Sequence, residues 1–197
     1  IAVVNAPANA VVEWHGGQSP PLSTPWTHLV GPNNALPEYP RPQMARTRWM
    51  NLNGVWQYTG RSGQAALAAP PPANEYREKI LVPYPTESAL SGIQRHDDQM
   101  WYRKLFKLPI TWRRHVLLHF GAVDQIATVW VNNQQVAYHE GGYTEFSADI
   151  TRALRPDDAE AGREVAQVEG PLGQVLDGDP VAALRREDRD VEGRIVH

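Results

Sequence analysis

No cysteine occurs in the 197 residues, which excludes a disulfide framework and any thiolate metal site. That absence assigns no compartment. No apolar run approaches the roughly 18–20 residues a helix needs to cross a bilayer. An excess of positive charge is missing too. The net charge is −3, so nothing draws the chain generally toward nucleic acid, and Arg113-Arg114 is too small a basic cluster to change that. No glycine-rich phosphate loop leads from a strand into a helix. Aromatic residues stop at Phe146. The seven histidines are scattered. His115 and His119 are four apart, a helical ligand spacing, but they fall in a strand pattern and read as structural residues. The expectation is no metal and no cofactor.

What is present is a sheet. In HVLLHFGAVDQIATVWVNNQQVAYHEGGYTEFSADITRAL (His115–Leu154), short apolar segments alternate with small polar turns. Val116, Leu118 and Phe120 share one parity and so one strand face. Ile126–Val131 is β-branched and aromatic, which suits a half-buried pleated surface. Asn132-Asn133 predicts a tight hairpin into Gln135–His139, because Asn tolerates positive φ. After Gly141-Gly142, Phe146, Ala148 and Ile150 alternate with Glu145, Ser147 and Asp149. Further strands are expected at Gly54–Tyr58, Lys79–Pro83 and Met100–Leu108. In the last of these Lys104 spoils the alternation, which implies an edge strand or a snorkelling lysine. Around Gln64–Ala69 a helical stretch competes, and three prolines end it.

Three regions follow. Residues 1–40 form an irregular Pro-rich arm whose Trp14 and Trp26 imply packing on something. Residues 41–155 form the folded body, and many short strands at near-regular spacing predict an all-β sandwich or jelly roll. Residues 156–197 form an atypical charged tail without aromatics, in which Val165–Val168 suggests a last weak strand and Val181–Arg186 a turn of helix. RREDRD (Arg185–Asp190) reads as a solvated or disordered run. The chain begins at Ile1, and IAVVNAPANA has two readings. It is either the mature end left by a removed signal peptide, implying a periplasmic or secreted protein, or an arbitrary start.

The segments PEYPRPQ (Pro37–Gln43), WMNLNGVWQY (Trp49–Tyr58), ILVPYPTESALSGIQ (Ile80–Gln94), MWYRKLFKLP (Met100–Pro109) and LLHFGAVDQIATVWVNNQQVAYHEGGYTEFSADIT (Leu117–Thr151) together resemble one pattern. It is that of the N-terminal sugar-binding domain of glycoside hydrolase family 2, which includes β-galactosidases, β-glucuronidases and β-mannosidases. The resemblance spans roughly residues 25–155 and does not select a substrate. It implies a galactose-binding-like jelly roll, followed in the family by an immunoglobulin-like sandwich and a (β/α)₈ barrel. That barrel carries the two glutamates of retaining hydrolysis, and neither matches a residue here. The implied partners are carbohydrate and those two domains. Beyond Pro156 the family pattern breaks down. The Arg/Ala/Gly/Asp/Val-rich composition there is what a GC-rich gene yields out of frame, an expectation that the other reading frames of the gene would test.

Candidate chemistry is sparse. Asp97-Asp98 and Asp157-Asp158 are adjacent carboxylates, but neighbours on a strand point to opposite faces. A retaining pair must instead face each other about 5–5.5 Å apart. The sharper candidate is the long loop Pro83–Gln99 between two strands, since long loops on rigid sandwiches carry recognition. Family resemblance implies that a loop of this domain approaches the active-site mouth, which makes Glu87, Ser88, Ser91, Arg95 and Asp98 candidates for contact with a sugar or a neighbouring domain. The alternative is that Glu87 and Ser88 cap a short turn before Ala89-Leu90. Asp124 is read as fixing a strand entry, and Trp101 and Trp130 as packing residues rather than sugar platforms. The overall reading is a non-catalytic domain bracing a catalytic barrel, set against an autonomous carbohydrate-binding module.

Overall fold

The computed structural model describes residues 24–35, residues 48–154 (except 64, 66, 110–111, 113–114 and 124) and the backbone of 166–171 and 183–186. Ten strands are described: β1 Trp49–Asn51, β2 Gly54–Arg61, β3 Glu78–Val82, β4 Gln99–Phe106, β5 Val116–Phe120, β6 Ile126–Val131, β7 Gln134–Glu140, β8 Phe146–Asp149, β9 Ala166–Pro171 and β10 Ala183–Arg186. They form two sheets, a four-stranded one in the order β1-β10-β5-β8 and a six-stranded one in the order β3-β2-β4-β9-β6-β7. Every pairing is antiparallel. The expected all-β sandwich is what the chain forms. Among the described residues, helix is limited to two 3-10 turns, Thr27–Leu29 and Ala73–Glu75.

Alternation builds the core. On β2, Gly54, Trp56 and Tyr58 are buried while Val55 and Gln57 are not. On β5, Val116, Leu118 and Phe120 point inward as their parity predicts. These residues meet Ile80, Val82, Met100, Tyr102, Phe106, Ala127, Val129, Val131 and Ala148 in one cluster between the sheets. Each large side chain so enclosed contributes roughly 1.5–3 kcal/mol of hydrophobic stabilisation. Trp56 also donates its indole N–H to Leu52 O at 2.8 Å, so its polar atom is satisfied inside the core.

A second apolar cluster lies on the other face of the six-stranded sheet. Trp101 and Trp130 are both buried, with ring centroids 5.4 Å apart, and pack with Tyr76 and Leu67. The reading of both tryptophans as packing residues matches this burial.

Turn chemistry is equally local. Asn132 and Asn133 both take positive φ, 49° and 68°, which is the two-residue hairpin geometry their type suggests. Gly54 sits at φ +110°, and a Cβ there would come within 3.1 Å of Pro32 O. Glycine thus lets the N-terminal arm close onto the body. The arm is not packed throughout, however. Trp26 is 68% exposed, which corrects the expectation that it is anchored, because the arm docks through Pro32 and the buried Ala35 instead. Trp14 lies outside the described residues, as does Asp124.

Lys104 resolves its broken alternation by snorkelling. Its ammonium donates to Val55 O at 2.7 Å, and burial lowers its pKa to about 8. The edge-strand alternative does not hold, since β4 runs between β2 and β9.

Both sheets take a strand from beyond residue 155. β9 lies between β4 and β6, and β10 lies between β1 and β5. The suggested last strand near Val165–Val168 is realised as β9. The suggested turn of helix at Val181–Arg186 is not, because Ala183–Arg186 finds backbone partners on both sides and tertiary pairing overrides weak local propensity.

Candidate functional site

The loop between β3 and β4 is a closed, internally bonded structure. Its first half winds through successive turns, with Ser88 N–H donating to Pro85 O and Gly92 N–H to Ala89 O. Ser91 is the hub. It is fully buried, its Oγ lies 2.8 Å from both Thr86 O and Ser88 O, and it accepts from Ile93 N–H at 3.0 Å. Ser88 Oγ turns back to Pro85 O at 2.7 Å and accepts from Ser91 N–H at 3.2 Å. That bond to the third following residue is the capping geometry expected of a serine opening a turn. Ser91 O in turn accepts from Leu81 N–H, which ties the loop to the end of β3.

The second half is held by charge. Asp97 is buried and accepts from Tyr58 Oη at 2.9 Å and from Arg95 Nε at 3.0 Å. Arg95 turns its other nitrogens onto Glu78, at 2.8 and 2.5 Å, in a bidentate pair. Its guanidinium also lies 5.9 Å from the Tyr58 ring centroid. The Glu78 hydrogen bonds hold the Arg95 pKa above its ordinary value, and burial pushes the Tyr58 phenol upward. Gly60 makes the room, since a Cβ there would fall 1.8 Å from Asp97 Oδ2.

Asp98 faces the other way. Its carboxylate accepts from Gly63 N–H and its own N–H donates to Ser62 Oγ, both at 3.0 Å. Gln99 exchanges two hydrogen bonds with the Leu67 backbone. The β2–β3 connection is therefore clamped to the end of this loop. Glu87 pairs with His96 Nδ1 at 3.0 Å and accepts from Thr86 Oγ1.

The structure thus brings Arg95 and Glu87 to the loop surface with partly exposed side chains, leaves Asp98 exposed, and turns the Ser88 and Ser91 hydroxyls into the loop itself. Sequence reasoning missed Asp97, Tyr58 and Glu78, which organise the loop. The available signal was Gly60 within a strand, a mark of close approach by another group. Asp97 and Asp98 diverge onto separate partners and do not confront each other. Asp157 and Asp158 lie outside the described residues. Among the described residues no group of three or more His, Asp or Glu is placed to hold a metal ion, and no helix is long and apolar enough to cross a membrane.

Comparison with known proteins fits this architecture. The family model described as glycosyl hydrolases family 2, sugar binding domain, matches residues 50–167. The chain belongs to that family. It is 30% identical over 131 residues to the β-glucuronidase of Felis catus, covering 59% of this chain and 20% of that protein. With the β-glucuronidase of Paenibacillus borealis it is 28% identical over 111 residues, covering 54% and 19%. The chain therefore spans about a fifth of the length of the curated relatives it matches. Among solved structures, the β-glucuronidase from Ruminococcus gnavus in complex with uronic deoxynojirimycin superposes with a TM-score of 0.54. The identity is 18%, with 74% of this chain and 30% of that one covered, which speaks for the fold alone.

Proposed function

We propose that this chain is a non-catalytic, galactose-binding-like jelly-roll domain of a β-glucuronidase- or β-galactosidase-like retaining glycoside hydrolase, and that it braces the catalytic barrel. The observation that carries this reading is the family match over residues 50–167, joined to a β3–β4 loop whose shape is set by its own bonds. Such a loop presents Glu87, Arg95 and Asp98 at fixed positions, as a wall shaping a neighbouring pocket requires. Ser88 and Ser91 serve it by holding the loop's curve. Acid–base and nucleophilic chemistry belong, in this reading, to the barrel.

The test is direct. The purified chain, incubated with p-nitrophenyl β-D-glucuronide and the matching galactoside, is expected to show no turnover that survives repurification. Turnover that co-purifies with the chain, and is lost on Asp97→Asn or Asp98→Asn, overturns the reading.

A second reading, an autonomous carbohydrate-binding module, draws on one observation. Tyr138 and Tyr143 are exposed, Tyr143 by 86%, and exposed aromatic faces suit sugar rings. It predicts saturable binding of methyl β-D-glucuronide or methyl β-D-galactoside by the chain alone. The bracing role predicts none.

A further inference from the structure

The outer face of the six-stranded sheet carries a polar row. Lys79 lies opposite Gln57 in the β3–β2 register, and Gln57 lies opposite Arg103 in the β2–β4 register. Neighbouring strands stand about 4.8 Å apart, so the three residues form one line across the sheet. Alternation decides their face. Ile80, Trp56, Tyr58 and Tyr102 belong to the core between the sheets, and their chain neighbours Lys79, Gln57 and Arg103 point the other way. All three are half-buried.

The three residues have different roles. Arg103 is committed to its surroundings. Its Nη1 donates to Gln57 Oε1, and its guanidinium lies 6.0 Å from the Tyr76 ring centroid. On its other side the next register partner is Glu169. Arg103 therefore orients Gln57. An amide whose oxygen is taken presents its NH2 group, so Gln57 offers donors. Lys79 beside it brings an ammonium with three more, and among the described residues nothing accepts from it. Its sequence neighbour Glu78 is turned to the bidentate pair with Arg95.

A second ammonium stands close by. Lys104 gives one donor to Val55 O and is near enough to Lys79 to feel its charge, which lowers the Lys104 pKa further. Arg103 acts on Lys79 in the same sense. The patch is thus made of N–H donors and positive charge, partly withdrawn from water. Among the described residues no acidic side chain offsets either lysine. Like charges so placed repel, and a desolvated cation without a counter-charge is costly. One kind of ligand relieves both: a negative group that only accepts hydrogen bonds.

We propose that Lys79 and Gln57, with Lys104 as a supporting charge, form a binding site for an oxyanion group of the carboxylate or sulfate kind where β3, β2 and β4 run side by side. Gln57 supplies direction, because Arg103 fixes its amide, and the lysines supply the charge that selects an anion over a neutral hydroxyl. The inference stands on strand register and is independent of the family assignment.

The experiment uses the full chain, labelled with nitrogen-15 and titrated near neutral pH at constant ionic strength. Sodium sulfate and sodium D-glucuronate are the probes, and sodium chloride is the reference. The expected result is saturable movement of the Gln57, Lys79 and Arg103 amide signals with at least one probe and none with chloride. Saturation by sulfate alone assigns a tetrahedral oxyanion, and by glucuronate alone a carboxylate. Lys79→Met should weaken binding about tenfold or more, as loss of a charge-assisted donor does. Lys107→Met, at an exposed position just beyond β4, should leave it unchanged. Should Lys79→Met not fold, Gln57→Glu decides, since it keeps the side chain's shape and its bond to Arg103 while replacing donors with negative charge. That variant should lose binding. No saturation with either probe, the same movement with chloride, or undiminished binding in whichever variant folds overturns the proposal.

Discussion

The two halves of the six-stranded sheet are held by different means. In the half formed by β3, β2 and β4, side chains lock the strands. Trp56, Tyr58, Ile80 and Tyr102 are buried, the Tyr58 and Tyr102 rings meet edge to face at 5.3 Å, and the Tyr58–Asp97–Arg95–Glu78 chain fastens a loop across the strand ends. In the other half the β6–β7 hairpin joins its neighbour through β9, at two register positions. One half is fastened by a polar chain across its strand ends as well as by packed rings, while the other meets β4 through the backbone of β9 and the Trp101–Trp130 contact, with centroids 5.4 Å apart. The Glu87–Asp98 loop is held by the first half.

The comparison breaks most visibly if the tail strands are removed. Truncation after residue 155 deletes β9 and β10, which join β4 to β6 and β1 to β5. The expected outcome is loss of cooperative urea unfolding and of dispersed NMR signals. A truncated chain that still unfolds cooperatively would show that the tail is dispensable.

Next in size is Gly60→Ala. Its Cβ displaces the Asp97 carboxylate, leaving the buried Tyr58 hydroxyl without its acceptor. The expected cost is about 2–4 kcal/mol in urea denaturation. The tyrosine side of the pair is sharpened by a double-mutant cycle of Tyr58→Phe with Asp97→Asn, for which a coupling of about 1–2 kcal/mol is expected. A coupling near zero would mean that the hydroxyl and carboxylate do not act together.

The pH dependence gives a further contrast within the locked half. The Lys104 pKa is lowered to about 8 by burial, so above pH 8 the folded chain binds fewer protons than the unfolded one. Stability therefore rises with pH from about 8 toward the ordinary lysine value. Tyr58 and Tyr102 act in the opposite sense. Their pKa values are raised by burial, so their contribution is complete below about pH 10 and declines above it. Stability should climb between pH 8 and 10 and then fall. Lys104→Met should flatten the climb and leave the fall, in urea titrations across that range. The smallest effect expected is Tyr143→Ser, within about 0.5 kcal/mol of the parent, since that side chain stands in solvent.

How much of this was legible in the sequence depended on distance along the chain. The parity of Val116, Leu118 and Phe120 and the Asn132-Asn133 turn are decided within a few residues, and both took their expected form. Asp97 was not legible, because its phenol partner is 39 residues away and only the folded sheet brings them together. The Ser88 and Ser91 hydroxyls were legible as polar loop groups but not as inward-facing ones. Their direction depends on how the loop closes on Leu81. The strand at Ala183–Arg186 was hidden for a related reason: weak local preference gave way to two ready-made partners.

Native-state hydrogen exchange across the six-stranded sheet tests the two-halves account most directly. The account predicts that the amides of Trp56, Tyr58 and Ile80 exchange only through global unfolding, while those of Ala166–Gly170 exchange through local opening at a clearly lower free energy. Equal protection in both halves of the sheet would contradict it.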